Sequence, residues 1–124
     1  MVSASEKRIS EPASGSGIDW NTHEMVYSVG IWTVKPGHEE EFVATWQAFA
    51  DWTAVEFAGQ GDVAHLLRDQ ADPQHYISFG GWPDADTLAR WRSSPQFGEH
   101  VGRLRAHVDG FVPGTYDVAA EIHP

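Results

Sequence analysis

The chain has 124 residues, 41% of them hydrophobic, with six tryptophans and six phenylalanines, enough to bury one core and too short for two full domains. It contains no cysteine, which excludes disulfides, thiolate metal sites and cysteine nucleophiles together. The formal net charge of −10, eight basic against eighteen acidic residues, disfavours nucleic acid as a partner.

Residues 1–23 are rich in Ser, Glu and Gly without periodicity and read as a flexible tail. They lack an apolar signal-peptide core, and no run reaches membrane-span length, so a cytoplasmic location and no membrane partner are expected. The domain occupies residues 24–124. Met25 to Val34 (MVYSVGIWTV) is β-branched and aromatic and predicts a strand, broken by Lys35-Pro36-Gly37. A helix follows, with Glu39, Glu40 and Glu41 in the first turn, where the helix dipole favours negative charge. Phe42, Trp46, Phe49 and Thr53 form one face at helical spacing, and Gly59 and Gly61 end the helix.

The segment DVAHLLRDQ, the turn Ala71-Asp72-Pro73-Gln74 and the strand HYISFGGW (His75 to Trp82) predict a hairpin. Pro83-Asp84 opens a helix over Thr87, Leu88 and Trp91, and Ser94-Pro95 restarts it. Phe97, Val101, Leu104 and Val108 continue the apolar row, with Gly110 and Pro113 as the stop. The alternation in GTYDVAAEI (Gly114 to Ile122) predicts the last strand.

The order is β-α-β-β-α-β, a ferredoxin-like α+β fold with an antiparallel sheet and both helical layers on one face. Strands one and three are apolar on both sides, so the open face predicts a homodimer with two sheets meeting face to face.

The run VKPGHEEEF after strand one, then RDQADPQHYISFGGWPD and SSPQF, resembles the antibiotic biosynthesis monooxygenase (ABM) domains of the dimeric α+β barrel superfamily. The resemblance covers Met25 to His123 and implies a ligand pocket between helices and sheet, beside strand three and helix two. It implies a cofactor-independent monooxygenase acting on an aromatic, polyketide or quinol-like molecule. Such enzymes deprotonate a phenolic or enolic substrate, and the carbanion reduces O₂ directly. The family's strand-three Trp matches Trp82, its Asn four residues earlier is Ser78 here, and His100 fits the place of a histidine after SSPQF. The expected catalytic set is therefore His100, Trp82 and Ser78, with a base and oxyanion donors. Trp91, His65, Trp32, Phe79 and Arg103 are the expected ligand contacts.

Two alternatives stay open. Heme-degrading relatives place a histidine nine or ten residues after a helix-two Trp, as His100 follows Trp91. Arg90, Arg92, Arg103 and Arg105 can meet propionates, but the strand-one Asn of that branch is Gly30. The other alternative is a non-catalytic dimeric protein that binds a small ligand. No metal-ligand spacing and no nucleotide or flavin motif is present, so no metal or organic cofactor is expected apart from the heme alternative.

Overall fold

The computed structural model describes residues 25–124. The predicted tail, with the chain's sole asparagine, Asn21, lies outside them. Seven elements follow in order: β1 (Val26–Val34), α1 (Glu39–Glu56), β2 (Ala64–Arg68), β3 (His75–Trp82), α2 (Ala85–Arg92), α3 (Pro95–Arg105) and β4 (Val108–Asp117). The four strands form one antiparallel sheet in the order β2-β3-β1-β4, the ferredoxin-like arrangement.

Register assigns the two faces. Val26, Ser28, Gly30 and Trp32 stand opposite Trp82, Gly80, Ser78 and Tyr76, and all eight share the face under the helices. Phe42 of α1 packs on Trp32 and Tyr76 at ring separations of 5.3 and 5.2 Å, and Trp91 of α2 packs on Trp82 at 4.9 Å. Val34, Phe42, Leu88 and Leu104 complete a core from which water is excluded. Asp84 caps α2 by accepting from the Thr87 backbone N–H and hydroxyl, both at 2.8 Å. These bonds hold the Asp84 carboxyl below its ordinary range.

The last strand differs from the expectation. The helix stops at Arg105, and Val108 opens β4 instead of extending the apolar helical row. Gly110 and Pro113 lie inside this strand. β4 is an edge strand, where a missing N–H is tolerated, so Pro113 sits opposite Gly30 without ending the pairing. Beyond Asp117 the alternation of Val118, Ala120 and Ile122 forms no strand, because Val26, the partner of Asp117, is where β1 begins. Period-two patterning marks strand competence, but a strand also needs a neighbour.

The opposite face has no cover within the described residues. Tyr27, Val29, Ile31, Ile77 and Phe79 are half-buried there, and Leu67, Val112 and Tyr116 are 49%, 61% and 53% exposed. No helix among the described residues is long and apolar enough to cross a membrane.

Candidate active site

A cavity of about 450 Å³ opens between α1, the loop after it and the sheet. Its floor is a patch of small residues, Ser28, Ala64, Ser78 and Gly80, brought together by the β1–β3 and β2–β3 registers. The walls are Trp46, Phe49, Phe57, Trp82 and Trp91. Gln47, Asp51 and Asp62 add polar groups. The loop carrying Asp62 is pinned to the end of β3 by an Asp62 N–H bond to the Gly81 carbonyl at 2.8 Å. Upstream of it, Gly59 turns the chain with φ +75°, a conformation most side chains resist.

Two indoles are oriented by hydroxyls that line this cavity. The buried Trp91 indole N–H donates to Thr53 Oγ1 at 3.0 Å, tying α2 to α1. Thr53 in turn donates to the Phe49 carbonyl, also at 3.0 Å. The second indole, Trp32, is 2% exposed and donates through Nε1 to Ser78 Oγ at 3.0 Å. Trp32 also stacks on Phe111 of β4 at 3.9 Å with an interplanar angle of 11°. Gly30 makes this arrangement possible: a Cβ there would stand 2.9 Å from both Ser78 Oγ and Trp32 Nε1. Ser78 Oγ accepts from the indole, and among the described residues its own proton has no acceptor, so it can donate to a ligand on the floor. An indole donating into a hydroxyl polarises it and strengthens its donation.

The expected site residues are distributed as follows. Ser78, Trp82, Trp91 and Phe79 all line the cavity. Phe79 does so from a strand position whose neighbours across the sheet, Val29 and His65, belong to the open face, and its ring stacks on His65 at 5.5 Å. His65 does not line the cavity, and Trp32 reaches it only through Ser78. His100 packs on Phe49 and Trp52, at ring separations of 5.6 and 5.3 Å, without lining the cavity. Desolvation first, and then the nearby Arg103 charge, lower its pKa below the ordinary histidine value.

The arginines do not form one anion site. Arg90 donates to Gln60, Arg92 to Thr115 and the Gly114 carbonyl, Arg103 lies 3.5 Å from His100, and Arg105 covers the Phe111 ring. Among the described residues, no arginine and no histidine lines the cavity. Trp46, part of the aromatic set that suits a flat ligand, lines the cavity, whereas Thr53, Ser28 and Phe57 were not anticipated as site residues. Their signal was present in the Trp46–Thr53 helical face and in the small residues at alternate positions of β1 and β3.

A sequence model of the family described as antibiotic biosynthesis monooxygenase matches residues 25–103. Among solved structures, SnoaB from Streptomyces nogalater, described as a cofactor-independent oxygenase, superimposes with a TM-score of 0.71 at 24% identity, covering 80% of this chain and 97% of that one. A variant of SnoaB gives 0.69 at 27% identity, with the same coverage of 80% and 97%. An antibiotic biosynthesis monooxygenase homologue from Caulobacter crescentus gives 0.69 at 17% identity, covering 80% of this chain and 93% of that one. No protein of curated function is significantly similar in sequence.

Proposed function

Because the chain belongs to the antibiotic biosynthesis monooxygenase family, we propose that it is a cofactor-independent monooxygenase of a flat aromatic, polyketide or quinol-like substrate. The observation that carries this reading is the aromatic-walled cavity of about 450 Å³ with the Ser78 hydroxyl on its floor. Its volume and apolar walls suit a small planar ligand with few polar groups.

Ser78, polarised by Trp32, donates to the oxygen that becomes anionic as the substrate passes its proton to water in the cavity, which returns a proton to the hydroxide leaving the peroxide. Trp82 and Trp91 hold the ring plane. The substrate carbanion then supplies electrons to O₂. A new C–O bond forms, and the resulting peroxide loses water, so that a CH₂ and O₂ become a carbonyl and H₂O. His100 supports Phe49 from outside the cavity and is a positioning residue in this scheme. A heme held by His100 lacks support, since that side chain does not face the cavity and Gly30 has no space for the heme branch's asparagine.

The functional unit is a homodimer joined through the open sheet faces. The exposed Leu67, Val112 and Tyr116 beside half-buried Ile31 and Ile77 support this assembly. Oxygen uptake tests the activity. Metal- and flavin-free protein should consume O₂ with an anthrone or hydroquinone, and Ser78→Ala should lower kcat/KM about 10²-fold, as loss of an oxyanion donor does elsewhere. Equal rates for both proteins, or no uptake, would overturn the proposal.

A further inference from the structure

His38, Glu41 and His107, none of which lines the cavity, come together with ligand atoms all within 4.8 Å of one another. We propose that these three side chains form a binding site for a divalent first-row metal ion of the zinc class, clasping the start of α1 to the start of β4.

The geometry is specific. His38 Nδ1 and His107 Nδ1 are 3.1 Å apart, and His38 Nδ1 is 3.9 Å from a Glu41 carboxylate oxygen. Two imidazole nitrogens, each about 2.0–2.1 Å from one tetrahedral zinc, stand about 3.3 Å apart. The histidine pair is therefore close to the separation that a shared ion requires. Glu41 completes the set by a rotation of its exposed side chain. Two imidazoles and one carboxylate suit zinc and its neighbours, and three protein ligands leave one position for water.

The backbone prearranges the two histidines. The Lys35 N–H donates to the His107 carbonyl at 2.9 Å, and the His38 N–H donates to the Lys35 carbonyl at 3.0 Å. His38 is the N-cap of α1, yet its side chain makes no capping bond, so the ring is not committed to the helix end. One turn into the helix, Glu41 stands at the i+3 position on the same face. Without a metal, the two imidazoles can share only one proton between facing nitrogens. Bound zinc replaces that single bond with two coordinate bonds.

The test uses the untagged full-length chain, stripped with chelator and returned to metal-free buffer. Titration with zinc chloride in a calorimeter should show saturable binding of one ion per chain. His38→Ala and His107→Ala should each weaken it at least roughly tenfold, with Glu41→Gln weakening it less. Imidazole ¹⁵N spectra of the unsubstituted chain provide a readout that does not depend on the folding of a variant. Zinc should shift the Nδ1 resonances of His38 and His107 together and leave those of His65 and His75 in place. No saturable binding, unchanged affinity in both histidine variants, or zinc shifts at other histidines would each overturn the proposal.

Discussion

At Gly30 a single missing side chain decides what the floor of the cavity can be. Its absence lets Trp32 Nε1 reach Ser78, and a methyl group there would press on both atoms at 2.9 Å. Gly30→Ala should cost about 1–3 kcal/mol in urea denaturation, the usual range for overpacking, and should also impair turnover by displacing Ser78. His100 gives a contrasting expectation. Removing it should change kcat/KM by less than the Ser78→Ala substitution does, because it touches Phe49 and not the ligand. Its lowered pKa means that the native state favours the neutral ring. Its contribution to stability is therefore present above about pH 6.5, the unfolded value, and is lost as pH falls through the lower native value. Denaturation of wild type and His100→Gln across that range checks the sign: the acid loss should be smaller in the variant.

Between elements, the tie that holds the cavity walls is the Trp91–Thr53 bond from α2 to α1. Thr53→Val keeps the shape but leaves a buried indole N–H unpaired, so it should destabilise the protein by about 1–3 kcal/mol in a denaturant titration. Most of this element plan was legible in the sequence. The Phe42–Phe49 face, the helix start at Pro83-Asp84, the break at Ser94-Pro95 and the strand alternation of His75 to Trp82 each follow from local physics. The extent of β4 was not legible, because Gly110 and Pro113 carry the same local signal in a turn and in an edge strand. Only the position of β1 distinguishes the two. The site shows the same division. Ser78, Trp82 and Trp91 could be named from motifs, whereas the Trp32–Ser78 and Trp91–Thr53 bonds span 46 and 38 residues and depend on register and packing. The cluster of His38 and His107, 69 residues apart, escaped motif reading for the same reason.

At the scale of the molecule, one sheet face is built into the core and the other is apolar and uncovered within the described residues. If two copies cover it, Val112→Asp should shift the sedimentation profile from dimer toward monomer and lower the thermal midpoint, since a buried unpaired carboxylate opposes association. A wild-type chain that sediments as a monomer at high concentration would contradict that assembly. The cavity lies on the covered side, between α1 and the Ser28, Ser78 and Gly80 positions of the sheet. The most direct measurement on the central claim follows oxygen itself. Chelator-treated, flavin-free protein is incubated with an anthrone under ¹⁸O₂, and the product mass is recorded. One ¹⁸O atom should appear in the new carbonyl, formed at a rate that falls in Ser78→Ala. A product carrying only solvent oxygen, or labelling that appears only after a metal or flavin is restored, would contradict that claim.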